Sequence, residues 1–207
     1  MVGEGKMKTG LLLSGGIDSS ALAAWKRPNI CLTIDYGQFA ADAEIYSASQ
    51  ICQELGLSHE VVRVDCRALG SGDMTGTPPL PCAPVPEWWP FRNQLLVTLA
   101  AVRLSSDGVE QIMIGAVRSD FCHRDGTAQF FDLLDAALAY QELGIRVSAP
   151  AISMSSVELV KSSGITPSHL ALTHSCHTGR HSCGRCRGCQ KHFQVFQHLG
   201  LERTAAG

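Results

Sequence analysis

The sequence lacks the features that mark membrane, secreted and strongly charged proteins. Among its 207 residues, no apolar stretch approaches the roughly 20 residues that a transmembrane helix needs. No basic segment followed by an apolar segment opens the chain, as a secretory signal would. The net charge is only −2 at pH 7, so overall charge predicts no partner. We therefore expect a cytoplasmic protein that has no membrane partner.

A lysine is missing where the familiar phosphate-binding loop GxxxxGK[ST] would have one. The apolar run Leu11–Leu13 stops at Ser14-Gly15-Gly16, which we call the SGG loop, and a helical pattern with Asp18 in its first turn follows. Two glycines permit a tight turn, so that backbone N–H groups face an anion beside a helix N-terminus. Hydroxyl groups of Ser14, Ser19 and Ser20 add donors. The pattern predicts a nucleotide site of another kind; the alternative is a plain turn in which Asp18 only complements the helix dipole.

Strand and helix patterns alternate along the chain, which predicts a doubly wound α/β fold with a parallel sheet. Apolar or β-branched runs predict strands at 9–13, 29–35, 60–65, 111–115 and 146–149. Apolar residues repeat at helical spacing at Ile45, Ala48, Cys52 and Leu55, at Leu95, Leu99 and Val102, and at Phe131, Leu134 and Leu138. Ser155 and Glu158 form a capping-box pattern that predicts one more short helix.

Ligands of such sheets bind at the carboxyl ends of the strands. The predicted strand ends are Leu13, Asp35, Asp65, Gly115 and Ala149, so the SGG loop lies at the expected edge. The segment 70–90 breaks the alternation, since it is rich in proline and contains Trp88 and Trp89. A loop of this length predicts an active-site lid. The alternative is a surface loop that its tryptophans anchor on the core.

Four of the nine cysteines lie close together at Cys176, Cys183, Cys186 and Cys189, and we call them the cysteine cluster. In a cytoplasmic protein such thiols are metal ligands rather than disulfide partners. Four thiolates close tetrahedrally around one zinc ion and leave no open position, which predicts a structural site. Four histidines, at 174, 177, 181 and 192, are alternative ligands. The predicted units are therefore 1–170, the α/β domain, and 171–207, a zinc-binding segment with a helix.

The C-terminal quarter is also cationic, because no acidic residue lies between Glu158 and Glu202. Phosphate, carboxylate or nucleic acid would suit such a surface, and the alternative is a solvated basic face. No interleaving of basic and aromatic residues marks an RNA-binding face, so nucleic acid is not the expected partner. The basic residues of this window are Lys161, Arg180, Arg185, Arg187 and Lys191.

The sequence resembles a known family over nearly its whole length. Its SGGxDS motif is similar to that of the N-type ATP pyrophosphatases, and with the cysteine cluster it resembles the 7-cyano-7-deazaguanine synthases of queuosine biosynthesis. Three further stretches match that family: Asp35-Tyr36-Gly37-Gln38, Trp89-Pro90-Phe91-Arg92-Asn93, and the segment from Gly115 to Asp120. The order and spacing of these motifs carry the resemblance. It implies the adenine nucleotide alpha-hydrolase-like fold.

The resemblance implies an ATP-dependent carbon–nitrogen ligase that uses magnesium and contains zinc. Its substrate would be 7-carboxy-7-deazaguanine, activated as an acyl-adenylate with release of pyrophosphate and then attacked by ammonia to give the amide and finally the nitrile. The implied catalytic residues are Asp18, Ser19, Arg92 and Asp120. The implied nucleotide-binding residues are Leu13, Ser14, Gly15, Gly16, Asp18, Ser19, Ser20, Asp35, Tyr36, Gln38 and Gly115. The implied substrate-binding residues are Arg92, Asn93, Gln38, Asp120 and Asp125.

Several positions depart from the family pattern. Phe39 and Ala40 replace a polar pair, Arg118 replaces an acid, and Ser156 replaces a lysine expected near the phosphates. The stretch from His123 to Thr127 keeps only Asp125, and His192 replaces an arginine. These departures favour a divergent member that passes the acyl group to a protein amine, like relatives in bacterial antiphage operons. Two competing interpretations are an RNA-modifying pyrophosphatase and an inactive nucleotide-binding scaffold. The sequence leaves the oligomeric state open, with a homodimer as one option.

Overall fold

The computed structural model describes residues 7–201. The first six residues of the predicted unit 1–170 and the last six of the predicted unit 171–207 lie outside the described residues. Within the described part, no helix is both long enough and apolar enough to cross a membrane.

Five parallel strands form one sheet in the order β3-β2-β1-β4-β5. Every predicted strand is present, and no strand end differs from the prediction by more than two residues. The central strand β1 pairs Leu11 with Cys31 on one side and with Met113 on the other. This order is that of a doubly wound sheet, so the predicted fold class is confirmed. The strands are β1 (Thr9–Leu12), β2 (Ile30–Asp35), β3 (His59–Arg63), β4 (Gln111–Ile114) and β5 (Arg146–Ser148).

Helices cover both faces of the sheet because successive strand residues point to opposite sides. Leu12 and its neighbours Leu32 and Ile112 pack against α3 and α4, whereas Leu11 and Cys31 pack against α1 and α2. The helices are α1 (Ile17–Lys26), α2 (Ala41–Leu55), α3 (Arg92–Leu104), α4 (Ala128–Ala139), α5 (Ser156–Ser163), α6 (Pro167–Leu170) and α7 (Arg187–His198).

The predicted capping box begins α5. The Ser155 hydroxyl accepts from the Glu158 N–H at 3.2 Å, and the Glu158 carboxylate accepts from the Ser155 N–H at 2.7 Å. The predicted apolar stripe of α3 is wrong at Val102, whose exposed fraction is 70%. The buried stripe of that helix runs instead through Val97, Ala100 and Leu104.

The segment 70–90 is anchored on the core by one of its two tryptophans. Trp89 is buried and meets the Tyr36 ring edge-to-face, with 4.7 Å between the ring centroids. The hydroxyl of Ser71 donates to the Trp88 carbonyl at 3.0 Å, which ties one end of the segment to the other. Anchoring by a tryptophan is thus confirmed for Trp89, and the lid stays a prediction.

The C-terminal residues pack directly on the SGG loop and on α1. The His174 N–H donates to the Gly15 carbonyl at 2.9 Å. Val195 of α7 belongs to the same apolar cluster as Ile17 of α1 and Leu159 of α5. These contacts bring the end of the described chain to the carboxyl edge of the sheet.

Candidate nucleotide site and metal centre

The SGG loop adopts the turn that its glycines allow. Gly15 has a φ of +73°, and a Cβ atom there would lie 2.8 Å from the Ala48 backbone nitrogen of α2. Only glycine therefore fits between β1 and α2. Gly16 is the N-cap of α1, and within residues 7–201 no side chain caps that end. The first N–H groups of α1 are consequently available for an anion.

One cavity of about 530 Å³ opens at the carboxyl ends of β1, β2 and β4, beside the SGG loop. Such a volume is typical of a small-molecule site. Ten of the residues predicted for the nucleotide and substrate line it: Leu13, Ser14, Gly16, Asp18, Ser19, Tyr36, Arg92, Asn93, Gly115 and Asp120.

Gln38, predicted to contact nucleotide and substrate, lies behind the cavity wall. Its amide oxygen accepts from the Tyr36 N–H at 2.9 Å. Its amide nitrogen donates to the Ile34 carbonyl at 3.1 Å and to the Glu44 carboxylate at 2.7 Å. These bonds hold Tyr36 and Glu44 in the wall, so in this conformation Gln38 positions residues of the cavity.

Four more predicted residues also lie outside the cavity wall: Gly15, Ser20, Asp35 and Asp125. Ser20 is fully buried on α1, and its hydroxyl has no hydrogen-bond partner among the described residues. Asp35 accepts from the Gly37 N–H at 3.0 Å. The Asp125 carboxylate accepts from the Asn93 N–H at 3.2 Å, so it holds the start of α3.

Asp18 and Asp120 both pair with Lys191, which the sequence pattern predicts only as part of a cationic surface. The Lys191 ammonium lies 2.7 Å from Asp18 Oδ2 and 3.3 Å from Asp120 Oδ1. Burial disfavours the charge on Lys191, but the two carboxylates outweigh it and raise the pKa of the lysine. Ser156 stands where the family pattern has a lysine, so the lysine of this cavity comes from another part of the chain. Ser156 does line the cavity, and Lys191 enters it from α7.

A strained residue presents Arg92 and Asn93 to the cavity. Phe91, just before α3, has a φ of +55°, which is uncommon for a residue other than glycine. The helix then begins so that Arg92 and Asn93 line the cavity. Arg92 donates to the Met74 sulfur at 2.9 Å, and the Asn93 amide donates to the Asp125 carbonyl at 2.7 Å.

Glu44 and His177 also line the cavity, and neither is among the nucleotide and substrate residues predicted from the sequence. Burial raises the pKa of Glu44 to about 6, against the lowering effect of the hydrogen bond from Gln38. Burial lowers the pKa of His177 to about 4, and the Arg92 charge adds to this effect. His177 therefore faces the cavity as a neutral imidazole at pH 7. No local sequence pattern around Glu44 predicts its burial or its raised pKa, because both depend on how α2 packs beside β2.

The basic residues of the C-terminal quarter divide between the cavity and the surface. Arg187 and Lys191 line the cavity. Arg180 is paired with Asp42, while Arg185 and Lys161 are exposed.

Arg118, the departure from the family acid, also lies away from the cavity wall. Its guanidinium donates to the Ser153 carbonyl at 2.9 Å and pairs with the Glu158 carboxylate at 3.4 Å. Arg118 therefore holds the segment before α5 and is not placed to bind a carboxylate in the cavity.

The cysteine cluster could hold one metal ion, because its four sulfur atoms all lie within 4.8 Å of one another. Sulfur atoms about 2.3 Å from a tetrahedral zinc would be about 3.8 Å apart. The observed distances are 3.9 Å between Cys183 and Cys189 and 4.0 Å between Cys176 and Cys186. Backbone N–H groups of residues 177, 185, 186 and 189 also point at cluster sulfurs at 3.3–3.4 Å. Hydrogen bonds from the Thr178 side chain and from such N–H groups lower the pKa of Cys183 to about 5, whereas burial raises the pKa of Cys186 to about 12.

Together these features describe a doubly wound α/β protein that has a glycine loop and a cavity at one edge of its sheet and, beside them, four cysteines that could hold a metal ion. The chain belongs to the family described as Queuosine biosynthesis protein QueC, whose model matches residues 8–200. It is 34% identical to the 7-cyano-7-deazaguanine synthase of Desulforudis audaxviator, over 89% of this chain and 94% of that protein. It is 32% identical to the enzyme of the same name from Gloeobacter violaceus, over 94% of each.

A solved structure shares the fold at low sequence identity. It is the U34-tRNA thiolase NcsA from Methanococcus maripaludis with its [4Fe-4S] cluster, at a TM-score of 0.53 and 16% identity. The match covers 94% of this chain and 65% of the thiolase chain. At this identity the likeness concerns the fold alone.

Proposed function

We propose that this protein uses ATP to convert 7-carboxy-7-deazaguanine into the corresponding amide and then into the nitrile. Membership of the family and the names of its relatives support this substrate. The observation that carries the proposal is that one cavity is lined by residues of the SGG loop, by Asp18 and by Arg92. A triphosphate and a carboxylate can thus meet in a single space.

The proposed chemistry is acyl transfer through AMP. A substrate carboxylate oxygen attacks the α-phosphorus, the bond to the β-phosphate oxygen breaks, and pyrophosphate leaves. Ammonia then attacks the acyl carbon, AMP departs with the former carboxylate oxygen, and the amide forms. A second adenylation, on the amide oxygen, allows loss of AMP and of the amide protons to give the nitrile. The N–H groups at the start of α1, with Ser14 and Ser19, stabilise the departing pyrophosphate.

The residues around Asp18 fit a magnesium ion. Asp18 lines the cavity, and its buried Oδ1 has no hydrogen-bond partner among the described residues, so one of its acceptors is left for a cation. The Asp120 carboxylate pairs with Lys191, as Asp18 does, so a second carboxylate lies close by. Magnesium binds through one or two carboxylates and the phosphates of its nucleotide. When bound, it would neutralise phosphate charge.

The cysteine cluster fits zinc in a structural role. A [4Fe-4S] cluster uses four thiolates on four different irons, whereas the sulfur spacing here matches ligands of one ion. Cys186 is also the N-cap of α7, accepting from the Cys189 N–H at 3.4 Å. Bound zinc would hold that helix start, and with it Arg187 and Lys191, against the cavity.

The substrate would occupy the part of the cavity that Arg92, Asn93 and His177 line. Arg92 suits the carboxylate, since a guanidinium pairs with it through two hydrogen bonds. Asn93 and the neutral His177 can hydrogen-bond the edge of the base. Asp120 stays a proposed catalytic residue, and Asp125 acts on the substrate only through Asn93 in this arrangement.

Ammonia is the acceptor we propose, in place of a protein amine. Two of the departures that favour a protein amine, Phe39 and Ala40, lie outside the cavity wall. The lysine missing at Ser156 is balanced by Lys191 in the same cavity. The cavity therefore keeps charged groups that can support both adenylation steps.

The test is incubation with ATP, magnesium, the carboxylate and ammonium, followed by mass spectrometry of the products. The expected products are the nitrile, AMP and pyrophosphate, with no pyrophosphate when the carboxylate is omitted. ADP and phosphate would contradict adenylation. A deazapurine mass added to a protein would replace ammonia by a protein amine. Pyrophosphate release that depends on tRNA would favour an RNA-modifying enzyme, and nucleotide binding without turnover would favour a scaffold.

A further inference from the structure

We propose that Lys191 is a catalytic residue that neutralises the pyrophosphate end of the nucleotide, a role that rests on the proposed function. Lys191 is the one lysine in the cavity wall among the described residues. Its side chain is 32% exposed, and its ammonium bridges Asp18 and Asp120. Since Asp18 lies in the first turn of α1, which directly follows the SGG loop, the ammonium lies beside the first N–H groups of that helix.

The two arginines of the cavity are engaged elsewhere. Arg92 contacts the Met74 sulfur, and Arg187 contacts Glu87 and the Cys122 sulfur. None of these partners belongs to the SGG loop or to α1. Lys191 is therefore the side chain that can add a full positive charge to the partial charges of the N–H groups there.

The present contacts show how the lysine would be released. One ammonium serves two carboxylates, and Asp18 keeps a second oxygen without a partner in the described chain. A divalent cation that arrives with the nucleotide would satisfy Asp18 better than the ammonium does. The ammonium, on its flexible stem, then turns to the phosphate oxygens beside it while Asp120 retains it near the site.

The experiment compares inorganic pyrophosphate with AMP as ligands of wild type and of Lys191→Met, by isothermal titration calorimetry. The methionine keeps the apolar stem and removes the charge. We expect pyrophosphate to bind about 10- to 100-fold more weakly, the range of a lost charged hydrogen bond, and AMP to bind unchanged. Lys161→Met, an exposed lysine of α5, is the matched control. Equal effects on both ligands, or on neither, would overturn the proposal.

A relocated charge separates electrostatics from a merely structural role. Ser156 lines the same cavity at the first position of α5, so Ser156→Lys in the Lys191→Met background returns a lysine to it. We expect pyrophosphate binding and turnover to recover to within about tenfold of wild type. A double variant that folds, as judged by circular dichroism, yet shows no recovery would refute the role. If Lys191→Met does not fold, Lys191→Gln takes its place in both comparisons.

These titrations need no turnover, so they distinguish the two proposals. Wild type that binds pyrophosphate through Lys191 but never releases it from ATP and the carboxylate would contradict the proposed function alone. Wild type that turns over normally while Lys191→Met is unaffected would contradict the role of Lys191 alone.

Discussion

Two carboxylates that line this cavity, those of Asp18 and Glu44, have different surroundings. Asp18 has one oxygen on Lys191 and the other without a partner in the described chain. Glu44, in the same cavity wall, accepts a hydrogen bond from Gln38 and holds its proton more tightly than usual. The first therefore has an oxygen left for the proposed cation, whereas the second carries an electrostatic cost at neutral pH.

Asp18→Ala should lower pyrophosphate release by about 10²- to 10³-fold, the loss typical when a group that stabilises developing charge is removed. The fold should survive, because Asp18 lies at the cavity and not in the apolar core. A coupled pyrophosphate assay and a thermal melt measure the two effects. Asp42→Ala, which removes an exposed carboxylate paired with Arg180, should leave turnover near wild type. A variant at Asp18 that keeps full activity would contradict the assignment.

Glu44→Gln should stabilise the protein at neutral pH. The pKa of Glu44 is about 6 in the folded protein, above its ordinary value, so folding favours the protonated form. That contribution is fully present below about pH 4.5 and is lost as pH rises through about 6. The variant should therefore gain up to about 2 kcal/mol at pH 7.5, and the gain should vanish near pH 4.5.

Urea unfolding of the Glu44→Gln variant between pH 4.5 and pH 8 tests this expectation. Glu54→Gln, on the exposed face of the same helix, serves as the control. A stability difference that does not change with pH would show that the effect is packing and not titration.

At the scale of elements, the strand–loop–helix unit of β1 and α1 depends on the left-handed backbone conformation of Gly15. Gly15 combines a left-handed φ with direct contact to α2, and Gly115 of the β4 end approaches Ser19 equally closely. Each loop therefore brings its backbone close to a neighbouring helix, at a point where a side chain would not fit.

Gly15→Ala should destabilise the protein by about 2 kcal/mol or more and weaken nucleotide binding. The new Cβ would lie 2.7 Å from Ser47 Cβ and 2.8 Å from backbone atoms of α2. Gly164→Ala is a matched control, because Gly164 has a φ of +74° with nothing within 4 Å. The control should lose only the conformational term of about 1 kcal/mol. Equal losses in urea unfolding for both variants would show that the close approach to α2 is unimportant.

At the scale of the whole molecule, the cysteine cluster lies where the end of the described chain packs against the carboxyl edge of the sheet. The first turn of α7 packs tightly on residue 175, since a Cβ at Gly188 would overlap the Ser175 carbonyl. Two cavity residues, Arg187 and Lys191, lie within the first turns of α7. The integrity of the cluster should therefore control both stability and activity.

Cys186→Ser should remove the metal, lower the thermal midpoint and reduce turnover, because metal binding and the fold of this segment are coupled. Elemental analysis of the wild type should find one zinc per chain. Cys82→Ser, an exposed cysteine of the segment 70–90, is the control and should retain the metal. Wild type without zinc, or with the visible absorption of an iron–sulfur cluster, would contradict the zinc assignment.

Much of the architecture could be predicted from local pattern. The five strands, the cap of α5 and the glycine turn each depend on residues close together in sequence, where periodicity and capping chemistry act directly. Periodicity wrongly places Val102 in the buried stripe of α3, because which side of a helix is buried depends on the angle at which it packs. The motif around Gln38 predicts contact with ligand, but three local hydrogen bonds hold this side chain behind the cavity wall.

The sequence alone determined the fold class, the glycine turn after β1 and the four cysteines that could hold a metal ion, because each depends on residues that lie close together along the chain. Tertiary structure alone decided what surrounds them. Lys191 meets Asp18 only because α7 packs on α1 and the sheet brings Asp120 to the same edge. The pKa values of Glu44 and His177 likewise follow from burial, which arises when distant segments close over one cavity.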